Sequence, residues 1–225
     1  IKSGATTDEE GEAWLDIQSL ALTITAVNDA INAEQQLTIP SGTLTISAGD
    51  DAIHADYTLT VGAAGSDGPA IQILACYEGL EAANLSVCSG TVELHASDDC
   101  LNAANSDLQG YAFTLDISGG TLIMDTTSGD GIDSNGTLTI SGGTVVVWTA
   151  NTADNQPLDA DGTISITGGT VLAAGGSAGM GMTLNAGQPY LRYGADFMSG
   201  GFGSFSGFGG GSFQPGEAPA QPGDS

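Results

Sequence analysis

The sequence predicts an all-β fold, a parallel β-helix (solenoid) of about seven coils with a Gly/Phe-rich C-terminal tail. Three observations predict it. A unit of short apolar runs recurs along most of the 225 residues. Each run alternates apolar and polar residues with period two, as in Leu138-Thr139-Ile140, the mark of a strand with one buried face. Ser-Gly-Gly-Thr or a close variant separates the runs, at corners that residues with a Cβ resist. Three strands and three corners per unit describe one coil.

The clearest copy is 129–147: Asp130-Gly131-Ile132-Asp133-Ser134, then Leu138-Thr139-Ile140, then Ser141-Gly142-Gly143-Thr144 and Val145-Val146-Val147. The first element recurs around Ile31, Ile53, Leu80, Leu101, Ile132 and Leu158, at intervals of 22, 27, 21, 31 and 26 residues. Solenoid repeats run to about 20–45 residues, so the longer intervals carry loops on a constant frame. Leu44-Thr45-Ile46, Val92-Glu93-Leu94, Leu122-Ile123-Met124 and Val171-Leu172-Ala173 repeat another element, each after its small-residue corner. Ile1-Lys2-Ser3 reads as the end of a further copy, which predicts a start in mid-coil.

The chain divides into a β-helix domain, 1–182, and a Gly/Phe/Pro-rich tail, 183–225. An acidic run, Asp8-Glu9-Glu10-Gly11-Glu12, precedes the repeats, and loops are expected at 62–70, 104–112 and 149–157. The tail, punctuated by Phe197, Phe202, Phe205, Phe208 and Phe213, reads as a linker on composition.

Two basic residues, Lys2 and Arg192, face 27 acidic ones, for a net charge of -25. That balance argues against nucleic acid and anionic membrane as partners. No run of 18 apolar residues is present, so no membrane insertion is expected. The Thr, Ser, Asn and Gly bias suits an extracellular or cell-surface β-protein, and a start without Met reads as a mature or trimmed product. Cys76, Cys88 and Cys100 lack zinc spacing and read as small buried apolar residues, although a disulfide between two of them stays open.

Stacking the repeats places Asp29, Asp51, Glu78, Asp99 and Asp130 at one corner. Asn32, His54, Glu81, Asn102, Asp133 and Asp159 form a second column beside it, with Asp50 and Asp98 just before two members of the first. Parallel strands lie about 4.8 Å apart. Two carboxylates at that separation repel by roughly 1 kcal/mol in water and about 4 kcal/mol at a partly buried surface. Three outcomes are open: the acids splay into solvent, some stay protonated, or a hard divalent cation bridges them. Calcium suits the third, since it takes six to eight oxygens in flexible geometry. The candidate ligands are Asp29, Asp50, Asp51, Glu78, Glu81, Asp98, Asp99, Asp130, Asp133 and Asp159.

The order Asp-Asp-Ala-Ile-His-Ala, Glu-Gly-Leu-Glu-Ala-Ala-Asn and Gly-Asp-Gly-Ile-Asp-Ser-Asn-Gly, alternating with Leu-Thr-Ile-Ser-Gly-Gly-Thr, resembles the carbohydrate-binding domain family of bacterial cell-surface proteins over about 17–182. The resemblance implies a right-handed parallel β-helix, similar to pectate lyases, that binds Ca2+ and plant cell-wall polysaccharides such as cellulose and polygalacturonate. The matching acids are Asp51, Glu78, Glu81, Asp98, Asp99, Asp130 and Asp133. The Gly/Phe tail departs from the family's β-rich C-terminus.

Three functions follow as expectations. The first is a non-catalytic, calcium-dependent binder of polysaccharide. The alternative is a subunit of a calcium-stabilised extracellular filament, a homopolymer through coil ends and tail, because non-closing contacts give fibres. A polysaccharide lyase ranks below both. Such an enzyme needs a Lys or Arg base beside the reacting proton, and Lys2 and Arg192 lie outside the repeats as read. A paired-carboxylate glycosidase has no pair singled out for it. Trp14, Tyr57, Tyr77, Tyr111, Phe113 and Trp148 read as packing under loops, and His54 and His95 as polar surface positions.

Overall fold

A computed structural model describes residues 1–5, 13–150, 155–176 and 184–191. The acidic run at 8–12, the division at 182 and the tail beyond 191 lie outside the described residues. Within them every strand pairing is parallel, and no helix is present. The strands stack as a β-solenoid of about six turns, close to the seven expected.

Two sheets run the length of the stack, one of seven strands and one of twelve. The seven-stranded sheet is one face: Leu20–Thr25, Gly42–Ser47, Ala70–Cys76, Thr91–Ala96, Thr121–Thr126, Thr144–Trp148 and Thr170–Ala174. The twelve-stranded sheet holds the other two elements of each coil. In most turns they are separate strands, such as Ile132–Ser134 and Thr137–Ile140. In two turns they fuse into one long strand, Ile53–Val61 and Leu80–Val87, which joins the two faces. The fused strands meet with a register shift between Ala55 and Thr58, so Asp56 and Tyr57 bulge outward there.

Register follows the repeat. Ile31 pairs with Ile53, Ile53 with Leu80, Leu80 with Leu101, and Leu101 with Ile132. Like residues therefore sit over like residues, and their inward side chains form continuous rows. Ile31, Ile53, Leu80, Leu101 and Ile132 have no exposed surface, nor do Leu37, Leu59, Leu85, Leu115 and Leu138 on the next face. Each such side chain removed from water contributes roughly 1.5–3 kcal/mol, so the core rather than any single turn sets stability. Cys76 and Cys100 belong to this core; all three cysteines are free thiols.

Lys2–Ser3 pairs with Ile31–Ala33, as expected of a partial copy. Leu184–Ala186, beyond the last clear repeat, adds a parallel strand to Ile164–Ile166.

The Ser-Gly-Gly-Thr corner has a direct cause. Gly120, Gly143 and Gly169 hold φ of +87°, +80° and +80° and stack on one another. A Cβ on Gly143 would lie 2.7 Å from the Gly120 carbonyl oxygen. Both the left-handed backbone and the close approach select glycine.

Candidate functional site

The two polar columns form where the repeat places them. At the corner, Ala30 N donates to Asp51 O at 3.0 Å, Ala52 N to Glu78 O at 2.9 Å, Gly79 N to Asp99 O at 3.0 Å and Cys100 N to Asp130 O at 3.1 Å. The chain of bonds runs on through Gly131 N to Gln156 O. Asp29, Asp51, Glu78, Asp99 and Asp130 are thus successive members of one ladder. In the adjoining strand, Lys2, Asn32, His54, Glu81, Asn102 and Asp133 are paired in series. Asp159 extends that column, its N–H donating to Ile132 O at 2.8 Å.

The three-residue spacing brings the columns together. Asn32 Nδ2 donates to Asp29 Oδ2 at 2.7 Å, and His54 Nδ1 lies 3.2 Å from Asp51 Oδ2. Potential ligand atoms converge within 4.8 Å of one another in three groups: Asp29, Asp50 and Asp51; Asp51, His54 and Glu81; and Asp130, Asp133 and Asp159. Glu78, Asp98 and Asp99 fall outside these groups. Asp98 and Asp99 nonetheless crowd one point, since a Cβ on Gly129 would lie 2.4 Å from an oxygen of each. Asp50 and Asp98 are not neighbours. Tyr77 separates them, donating its N–H to Asp50 O and accepting from Asp98 N.

Burial and crowding by like charges raise the proton affinity of several of these acids. Burial, then nearby carboxylates, raises Glu78 to about 8 and Asp99 to about 7. Burial likewise raises Asp51, Asp130 and Asp133 to about 6, with Asp159 the chief neighbouring charge at Asp133. A column of groups that all resist ionisation is a column short of positive charge.

One level is not short of it. His54 is no free surface residue. Its ring is largely buried and lies between three carboxylates: Nδ1 is 2.6 Å from Glu81 Oε2 and 3.2 Å from Asp51, and Nε2 is 2.9 Å from Asp56 Oδ1. Burial opposes its charge, but the three acids outweigh that and push it up to about 12. It is an imidazolium at neutral pH. Lys2 also belongs to the stack, contrary to its placement outside the repeats by sequence, and its ammonium pairs with Glu34 at 3.2 Å. His95 remains on the surface, bonded to Asp125.

The second column is therefore polarised along its length. Lys2 and His54 compensate the N-terminal levels, whereas Asp99, Asp130, Asp133 and Asp159 have no cation beside them among the described residues. Here the donor set suits a hard divalent ion. Every candidate ligand is an oxygen, and the amide oxygens of Asn32 and Asn102 are buried with no hydrogen-bond partner. Asn102 is 8% exposed; its Nδ2 donates to Glu78 Oε2 at 2.9 Å, leaving Oδ1 as the orphan. Buried carbonyl oxygens without donors are uncommon, and a cation is one group that would satisfy them.

The family model of a carbohydrate-binding domain-containing protein matches residues 10–179. The chain belongs to that family. The match covers most of the solenoid, including all the candidate acids from Asp29 to Asp159. No curated protein and no solved structure matches the chain.

A groove opens beside the compensated end of the ladder. It is about 700 Å³ in volume and is lined by His54, Glu81, Glu34, Gln35, the Asp56–Tyr57 bulge and residues 105–108. No local pattern marks it, because loop 104–112 returns over two turns of the stack: Asn105 Nδ2 donates to Asp56 O, 49 residues away. Tyr111 of that loop packs edge to face on Tyr57 and Phe113, in keeping with the expected packing of aromatics at a loop. Trp14, Tyr77 and Trp148 are exposed instead.

Proposed function

We propose that the chain is a non-catalytic, calcium-dependent polysaccharide-binding β-helix of the cell surface or extracellular space, with plant cell-wall glycans such as polygalacturonate and cellulose as targets. Family membership supports glycan binding. The observation that carries the calcium is the uncompensated run of Asp99, Asp130 and Asp133 beside the orphan Oδ1 of Asn102. Asp130, Asp133 and Asp159, with Asn102 and Asp99 adjacent, would hold the ion. Bound there, Ca2+ supplies positive charge on a surface that otherwise repels a uronate. A carboxylated glycan would then complete the ion's oxygen shell.

Lys2 is poorly placed to serve a lyase: its ammonium is engaged by Glu34, at the opposite end of the column from the uncompensated acids, and Arg192 lies outside the described residues. The test is retention on immobilised polygalacturonate in calcium and release by chelator, with no unsaturated product formed. Flow-through in calcium would refute the binding reading, and product formation the non-catalytic one.

A filament subunit is the second reading. Among the described residues, Leu20–Thr25 and Thr170–Ala174 are the end strands of the seven-stranded sheet, each with one partner. Their free edges suit addition of another copy. Electron microscopy with and without chelator tests it; monomers in both conditions would eliminate it.

A further inference from the structure

We propose that the groove lined by His54 and Glu81 is a second glycan site, one that takes an uncharged sugar unit and needs no metal. The inference rests on the glycan-binding reading above, though not on its calcium.

The groove is constructed rather than incidental. Its outer wall is loop 104–112, and that loop is anchored at both ends. Asn105 Nδ2 reaches the Asp56 carbonyl at 2.9 Å, and Asn105 Oδ1 accepts from Asp107 N at 3.0 Å. At the far end Tyr111 packs on Tyr57, with ring centroids 6.0 Å apart. Asn84 fixes Tyr111 when its amide oxygen accepts the phenol proton at 2.9 Å and its nitrogen donates to Ala112 O at 3.0 Å. A wall held this way loses little freedom on binding. The volume, about 700 Å³, is in the range of small-ligand clefts, which run to roughly 300–1,000 Å³.

The lining chooses the ligand's charge. Glu34, Asp56, Glu81 and Asp107 offer carboxylate oxygens, and Asn105 and Ser106 add neutral polar groups. The two cations nearby are already engaged, His54 by Asp51, Asp56 and Glu81, and Lys2 by Glu34. A uronate or phosphate would meet acids with no spare positive charge. A metal ion would have to displace an imidazole that is ion-paired on both ring nitrogens. What fits is a donor-rich neutral surface: sugar hydroxyls toward the carboxylates, and a C–H face toward Tyr57 and Leu108.

The groove thus differs from the calcium corner in kind. The corner recruits negative charge through an ion; the groove accepts hydroxyl donors directly. Both lie on the same columns, so one polysaccharide chain carrying acidic and neutral units could contact the two.

The test uses the full chain and a soluble uncharged β-1,4-glucan oligosaccharide, titrated by calorimetry in chelator and in calcium. Binding of equal strength under both conditions is expected. Asp107→Ala, on the exposed loop, should weaken it about tenfold, as should Asn105→Ala. Asp133→Asn should leave it unchanged while abolishing retention on polygalacturonate. Thermal melting separates loss of contact from loss of fold in Asn105→Ala. No binding in chelator, or binding untouched by Asp107→Ala in a folded protein, would overturn the proposal. Failure on polygalacturonate with the glucan still bound would sink the calcium reading and leave this one standing.

Discussion

Asn102 stacks directly on Asp133 in the parallel ladder, and its buried Oδ1 has no hydrogen-bond donor. A buried amide oxygen without a donor and a carboxylate without a cation beside it are each unfavourable, and a positive charge at this level would relieve both. Asp133→Asn replaces one charge without changing shape. It should raise the melting temperature of the calcium-free protein, because a like charge is removed. It should also abolish most of the rise that calcium gives the wild type. At a calcium concentration 100 times its dissociation constant that rise corresponds to about 2.7 kcal/mol, or roughly 5–10 °C for a chain of this size. Differential scanning fluorimetry with and without calcium reads both signs.

The raised carboxylates give the metal-free protein an inverted pH dependence. Folded Asp51, Asp130 and Asp133 titrate near 6, Asp99 near 7 and Glu78 near 8, all above their ordinary values of 3.8 for Asp and 4.5 for Glu. Between those ordinary values and the folded ones the native state binds more protons than the unfolded chain. Stability from these groups is therefore full below about pH 4 and lost as pH rises through 6 to 8. His54 works in the same direction, its contribution fading from about pH 6.5 toward 12. Melting in chelator should fall from pH 5 to pH 8, and calcium should flatten the fall.

His54→Gln removes the counter-ion that three acids share. Asp51, Asp56 and Glu81 would then face one another with no positive charge between them. Breaking a buried ion pair costs roughly 3–5 kcal/mol, and the loss at pH 7 should fall in that range. It should shrink at pH 4 to 5, below the value of about 6 to which burial raises Asp51. Denaturant melts at the two pH values measure the difference; an equal loss at both would mean that His54 serves packing alone.

Gly143→Ala tests the coil geometry without touching the acids. The residue sits at φ +80° with the Gly120 carbonyl oxygen 2.7 Å from the new Cβ. Strained backbone costs about 1–3 kcal/mol, and the clash adds to it. Urea melts should show a loss of at least about 2 kcal/mol, whereas Asn135→Ala, on an exposed turn, should change little.

The repeat made the stack legible. Because each copy carries Asp-x-Ile-Asp or its equivalent, aligning the copies aligned the strands, and Ile31 to Ile132 pair in the order their motifs suggest. Inserts did not disturb this, since loops leave the frame where corners already turn. What stayed hidden is what the repeat does not encode. Lys2 stands in a partial copy that the motif does place, but the motif says nothing of the partner its ammonium finds in Glu34. His54 occupies a column of polar residues and reads as another surface position; its meaning comes from Glu81, one turn on, and Asp56, two residues on and turned toward it by a bulge. The groove depends on Asn105 reaching back two turns, a contact that no local pattern announces. Trp14 and Trp148 face outward at strand positions whose alternation the short runs did not fix, and Tyr77 is exposed in the bend after Cys76.

The most direct measurement is a calcium titration of chelator-stripped protein by isothermal calorimetry, run beside Asp133→Asn. Saturable binding by the wild type, lost or weakened at least tenfold in the variant, is the predicted result. No heat and no bound calcium in the wild type, or equal binding by the variant, would contradict the assignment of the uncompensated acids as a cation site.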